Sequence, residues 1–319
     1  GGGGVVVCFW VLVGEACRAD GACWGILLDR WHQYLFGLYP TGEYWRILVG
    51  GALLLIGIVP LLLPRFPHKA LYGVAFMVIY PILAKLLFYG RALGVQIVPD
   101  DRLVDSNLWG GLFLTLIISI VGIVASFPIG IVLALGRRST MPAIKALCVS
   151  FIELVRGVPL VTVLFMASVM LPLFFPPGWT IDKLMRALIG VSLFSGAYMA
   201  EVIRGGLQAI PKGQYEAADA LGLSYWQKMR LIILPQALRL VIPGIVNSFI
   251  SLFKDTSLVF IMGLYDLLNI SRLIVTGKEW LGHDIESYII AGVGFWVFCF
   301  AMSRYSQNLE RRLSAAQRR

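Results

Sequence analysis

Charge is what this sequence has least of. Only 14% of its 319 residues are charged, against 58% hydrophobic, and the mean hydropathy is +0.81. So little charge excludes an ordinary soluble domain and points to a polytopic membrane protein. Histidine is also scarce. His32, His68 and His283 are the three present, none in an H-E-x-x-H, which argues against a zinc protease. No G-x-x-x-x-G-K-[ST] occurs, so any ATP that drives this protein is bound by another chain. G-x-S-x-G is missing too, and the apolar segments hold no carboxylate-rich motif, which disfavours a membrane-embedded enzyme. The five cysteines make no metal-ligand pattern, and no metal site is expected. Cys8, Cys148 and Cys299 lie in apolar runs and read as small core residues, while Cys17 and Cys23 share a polar loop, C-R-A-D-G-A-C. No long Ser- or Gly-rich linker divides the chain.

What is present is a series of apolar runs separated by short basic or acidic turns. The net charge of +9 is carried by clusters between those runs: Arg65 with Lys69, Arg137 with Arg138 and Lys145, and a tail from Arg304 to Arg319. Such clusters mark cytoplasmic loops rather than a nucleic-acid surface. Residues 5–13 are apolar but too short to cross a bilayer, and read as the downstream part of a first span. Further spans are expected at 48–63, 70–89, 108–136, 147–175, 181–204, 238–253 and 285–302, eight crossings in all with both ends cytoplasmic. Pro60, Pro64 and Pro67 close the span at 48–63, and Pro159 is expected to bend the one at 147–175. Glu153 and Arg156, three apart near the inner end of that span, are costly at such depth; either they satisfy each other or they are functional. On the span at 108–136, Thr115, Ser119, Gly122 and Ser126 form a small polar stripe. It admits two readings: a translocation path, or hydroxyls bonded to their own backbone where helices pack closely.

One polar stretch interrupts the apolar pattern, Y-E-A-A-D-A-L-G-L-S-Y-W-Q-K-M-R-L-I-I-L-P at 215–235. Residues 208–221 are good helix-forming material apart from Pro211 and Gly213, and Gly222 is a natural terminator just past their end, which puts a helix at about 208–223. The spacing of Glu216, Ala217 and Ala218 to Gly222, and of Gly222 to Ile232, Leu234 and Pro235, resembles the EAA loop of ABC importer permeases. Further segments are similar to the polar amino-acid uptake branch of that family: I-E-L-V-R-G-V-P-L at 152–160, G-A-Y-M-A-E-V-I-R-G-G at 196–206, A-I-P-K-G-Q-Y-E-A-A at 209–218, L-P-Q-A-L-R at 234–239 and K-D-T-S-L at 254–258. The spans preceding the core resemble those of the larger permease of general L-amino-acid uptake systems.

That resemblance implies an all-α, type I ABC importer permease. Its core of five helices would occupy 108–307, after about three N-terminal spans in 1–107 and before a basic cytoplasmic tail at 308–319. It implies a multi-pass protein of the bacterial inner membrane whose EAA stretch is a coupling helix, with Glu216, Ala217, Ala218, Leu221 and Gly222 against an ATPase subunit. The implied partners are a second permease subunit, two ATPases that bind the ATP and Mg, and a periplasmic amino-acid-binding protein. The chain itself would bind no cofactor and perform no chemistry.

A zwitterionic substrate needs polar groups of both signs near a helix break. The break at Pro243-Gly244 offers Asn247, Ser248, Ser251, Lys254 and Asp255 on a shared side, with Thr256 and Ser257 beyond, and the Thr115, Ser119 stripe as a second lining. Lys254 with Asp255 equally reads as a self-satisfied pair fixing the break. If residues 5–13 run outward, Cys17 and Cys23 face an oxidising compartment where a disulfide persists, although short loops can hold the wrong Cα separation. A stand-alone secondary transporter or channel for a small polar solute remains the alternative. The register of the EAA stretch argues against it.

Overall fold

Apolar runs of this length have one way to satisfy their backbone inside a bilayer, which is to form helices. The computed structural model describes residues 24–63, 68–92, 95–176 and 181–317. The apolar run at 5–13, the Cys17 and Cys23 pair and Arg65 lie outside the described residues. The long helices are α2 (Tyr44–Leu62), α3 (Lys69–Tyr89), α4 (Gly111–Arg137), α7 (Lys183–Ala209), α11 (Ile242–Asp255) and α13 (Asp284–Gln317). Among the described residues six segments are long and apolar enough to cross a membrane. A seventh crossing arises if α5 (Pro142–Gly157) and α6 (Leu160–Val169) form one span, since they bend by 107° where Pro159 removes a backbone donor. Pro60 lies inside α2 rather than ending it.

The chain divides into two compact units. One comprises residues 1–115 with 263–291, the other 116–262 with 292–319, so α4 and α13 contribute to both. The expected boundary at residue 107 therefore does not coincide with compactness, because 263–291 groups with the N-terminal part.

The first unit also contains the short helices α1 (Gly25–Phe36) and α12 (Leu267–Val275), and a hairpin in which β1 (Arg91–Ala92) pairs antiparallel with β2 (Val95–Gln96). Its chain segments meet at glycines. Gly37 bridges Trp109, Gly110 bridges Tyr265 and Gly111 bridges Asp266. Gly37 has φ +69°, and a Cβ there would meet the Gly110 backbone within 2.6 Å, so only glycine fits that crossing. Arg46 is fully buried, its Nε 2.8 Å from Glu43 and its Nη2 donating to the Arg102 carbonyl. The Tyr39 hydroxyl donates to the Phe88 carbonyl at 2.7 Å, and burial pushes that phenol up to about 12. The Tyr34 and Ser287 hydroxyls lie 2.7 Å apart, and Ser287 donates to the Ser271 carbonyl.

The second unit is organised by α7. Its buried face, Met199, Ala200, Ile203 and Leu207, packs with Ala134 of α4, Ile152 of α5 and Ile245 of α11. It also meets Met229 and Ile233 of a π-helical turn (Met229–Ile233) and Ala237 of α10 (Leu234–Leu240). α7 continues to Ala209, where Pro211 forces Ile210 into an extended conformation and starts a new helix, α8 (Lys212–Ala220). The single helix expected over 208–223 is therefore two pieces.

Candidate coupling surface and translocation cavity

Two features of the second unit are candidates for function. The first is α8, which bears the E-A-A residues. Gly222 has φ +68°, its N–H donates to the Asp219 carbonyl at 2.9 Å, and the Leu223 N–H donates to the Ala218 carbonyl at 3.3 Å. These two bonds form a Schellman stop, which needs the left-handed conformation that glycine adopts freely. Ala218 is buried, whereas Glu216, Ala217 and Ala220 are exposed, as is Leu221 at 74%. A short helix, α9 (Tyr225–Lys228), follows, opened by a capping box in which the Ser224 side chain accepts from the Gln227 N–H. Trp226 is 70% exposed on it. Lys228 pairs with Asp219, tying the two helices together. The outcome is a polar helix with Leu221 and Trp226 standing proud, the pattern of a protein-docking surface.

The second feature is a cavity of about 650 Å³, in the range of small-molecule sites, roughly 300–1,000 Å³. Asn247, Ser248, Ser251 and Asp255 of α11 line it, together with Ser126 of α4, Arg156 of α5 and Phe194 and Tyr198 of α7. The α11 residues recur at i, i+1, i+4 and i+8, so one helix face points into the cavity. The helix break falls at Val241, and Pro243 sits in the first turn of α11, where its missing N–H costs nothing.

Lys254, Thr256 and Ser257 do not line the cavity. Lys254 is exposed and makes no ion pair with Asp255 within 4.0 Å. The Thr256 hydroxyl donates to the Phe253 carbonyl and the Ser257 hydroxyl to the Lys254 carbonyl, both closing the end of α11. The stripe on α4 also splits. Thr115 Oγ1 donates to the Gly111 carbonyl and accepts from the Leu267 N–H, within the first unit. Ser119 is 2% exposed and away from the cavity, and Gly122 faces Leu252 and Val191. Of the stripe, only Ser126 lines the cavity.

Beside the cavity lies an ion cluster that the sequence presented only in fragments. Glu201 of α7 is held by Arg137 at 2.7 Å, Arg204 at 2.8 Å and Arg156 at 3.6 Å. Arg137 also pairs with Glu153 at 2.9 Å. Of the two readings of Glu153 and Arg156, the mutual pair does not form. Each finds its partner on another helix, because α4 and α7 bring Arg137 and Glu201 closer than the i, i+3 geometry brings the two to each other.

The profile of one family, described as binding-protein-dependent transport system inner membrane component, matches residues 126–315, which hold the cavity, the ion cluster and the E-A-A helix. The chain belongs to that family. The inner membrane amino-acid ABC transporter permease protein YhdY of Escherichia coli is 52% identical over 301 residues, spanning 94% of this chain and 80% of that protein. The glutamate/glutamine/aspartate/asparagine transport system permease protein BztC of Rhodobacter capsulatus is 44% identical, spanning 94% of this chain and 81% of its own length. In the crystal structure of an amino acid ABC transporter with histidines, a chain 32% identical superposes with a TM-score of 0.56, covering 63% of this chain and 92% of its own. The fold is that of the type I ABC importer permeases, and the protein is a multi-pass inner-membrane transport component. In this permease family member, sequence reasoning missed Tyr198 and Glu201, and took Arg137 and Arg138 only as topology markers. The signal available was Glu201 itself, the one carboxylate of the largely apolar α7.

Proposed function

We propose that this chain is the permease subunit of an ATP-driven amino-acid importer, moving substrate through the 650 Å³ cavity by alternating access. The observation that carries this reading is the cavity's lining. Arg156 and Asp255 supply charges of opposite sign among neutral donors and acceptors, which suits a zwitterion in a water-poor site. The names of YhdY and BztC support the substrate class. Partners follow from the same reading: a second permease, identical or related, two ATPases and a substrate-binding protein on the outer face. ATP and Mg bind to the ATPases, and this chain binds no cofactor. α8 with Leu221 and Trp226 docks on an ATPase and is therefore cytoplasmic, and the basic charge of the C-terminal segment supports the same side for the end of α13. ATP binding favours one state of the permease because the ATPase dimer holds the coupling helices differently in its two states.

Reconstitution of the four-part complex in liposomes tests this. Uptake of a radiolabelled amino acid that depends on both ATP and the binding protein is expected. Uptake by this chain alone, driven by an ion gradient, would instead identify a secondary transporter.

A further inference from the structure

Arg156 is the one member of the Glu201 cluster that also lines the cavity. Three guanidiniums, Arg137, Arg156 and Arg204, share two carboxylates, Glu153 and Glu201, so the cluster carries one positive charge in excess. Geometry places that excess on Arg156. Glu201 gives its short contacts to Arg137 and Arg204, whereas Arg156 stands 3.6 Å away, beyond ordinary hydrogen-bond length. The Arg156 guanidinium rests over the ring of Tyr198 at 5.4 Å, and Tyr198 is itself part of the cavity wall. Stacking fixes the plane of the guanidinium without occupying its N–H donors. A preset planar fork of this kind suits a carboxylate, which it binds through two parallel hydrogen bonds.

We propose that Arg156 is the carboxylate receptor of the cavity and that Glu201 competes with the substrate for it. A bound carboxylate takes the guanidinium that Glu201 holds only at long range. Occupancy of the cavity is thereby sensed by a cluster that includes Arg137 at the end of α4. Asp255 on the same wall is left for a substrate ammonium group. The inference rests on the cavity being the amino-acid site, as set out under the proposed function.

Equilibrium binding to the assembled permease–ATPase complex in detergent, without binding protein, provides the test. The probes are the twenty common L-amino acids, each radiolabelled, and the α-amide of whichever binds best. Arg156→Gln is expected to weaken the free acid by at least about tenfold, and Arg156→Lys to recover part of that loss, keeping the charge but not the fork. The α-amide, which lacks the carboxylate, is expected to bind the unaltered complex at least about tenfold more weakly than the free acid and to be indifferent to Arg156→Gln. Glu201→Gln, by removing the competitor, is expected to tighten binding of the free acid, a change that lost support would not produce. Equal losses for acid and amide in Arg156→Gln, or weakening by Glu201→Gln, would overturn the proposal. Size-exclusion chromatography establishes that each variant complex is intact. Should Arg156→Gln fail to assemble, an unaltered complex that binds amide and acid equally well overturns it instead. If the unaltered complex binds none of the twenty, the amino-acid reading of the cavity itself fails.

Discussion

The guanidinium of Arg138 lies over the ring of Tyr215, 5.4 Å from its centroid, and donates to the Tyr215 hydroxyl across 2.9 Å. Both groups donate to one acceptor, the Leu207 carbonyl, at 3.1 and 3.0 Å. This triangle joins α8 to the C-terminal ends of α4 and α7, immediately before the E-A-A residues. A displacement of α8 therefore acts on the two helices that also carry Arg137 and Glu201.

Tyr215→Phe keeps the ring under the guanidinium and removes the shared hydroxyl. That hydroxyl makes two hydrogen bonds, each a difference of about 1 kcal/mol, so binding-protein-stimulated ATP hydrolysis is expected to fall by about tenfold or more in complexes that still assemble. Arg138→Ala also removes two sides of the triangle, and with them the cation over the ring, and should cost more. Unchanged stimulation in both variants would show that α8 is not coupled through this contact.

Gly222→Asp addresses docking. Nothing lies within 4 Å of a Cβ built at Gly222, so the side chain meets no clash within this chain. The left-handed backbone costs an ordinary residue about 1–2 kcal/mol, less for Asp, which adopts it comparatively readily. The complex is expected to insert, but the carboxylate falls on the docking face and should abolish stimulated hydrolysis and uptake. Gly222→Ala bears the strain without the charge and should retain most transport. Normal uptake by Gly222→Asp would remove the coupling role assigned to α8.

Asp255→Asn tests the other charge of the cavity. Uptake per assembled complex is expected to drop by roughly a hundredfold, because a desolvated ammonium loses its counter-charge. Ser248 and Ser251 changes should alter which amino acids compete. An Asp255→Asn complex that assembles poorly yet transports normally per molecule would make Asp255 a structural group.

Asp266 gives a pH-dependent stability test. Its carboxyl accepts from the Leu268 and Asn269 N–H groups at the start of α12, and burial pushes it above the usual carboxylate range despite those bonds. A carboxyl raised on folding contributes stability fully below its unfolded value, and that contribution is lost as pH rises through the folded value. Asp266→Asn keeps the cap acceptor without the charge. In detergent it should match the original protein at low pH and exceed its Tm near neutral pH. A gap that stays constant with pH would contradict this.

Arg46→Ala should be strongly destabilising, by about 3–5 kcal/mol, because Glu43 and the Arg102 carbonyl lose the guanidinium that holds them. Thermal unfolding in detergent measures it. A Tm within a degree or two of the original would show that the pair carries little.

The E-A-A stretch was legible because its demands are local. A short helix, a glycine able to turn left-handed and an exposed Leu221 are each set by residues within one or two turns. The cavity was half legible: the face of α11 that carries Asn247, Ser248, Ser251 and Asp255 follows from helix periodicity alone. Its cation was not. Lys254 is nearer to Asp255 in sequence, but it sits one position further round the helix, and the cation on the wall is Arg156 of α5.

By itself, then, the sequence determined where the long apolar segments run, that Pro159 bends one of them, and where the E-A-A helix stops, since hydrophobic period and backbone sterics act over a few residues. Only the tertiary structure decided which charges meet. It brought Glu201, Arg137 and Arg156 from three helices into one cluster, gave Thr115 to packing, and put Arg156 rather than Lys254 with Asp255 in the cavity lining. Those outcomes depend on how whole helices rotate and cross, and a charge at such depth pairs with whatever the crossing brings within reach.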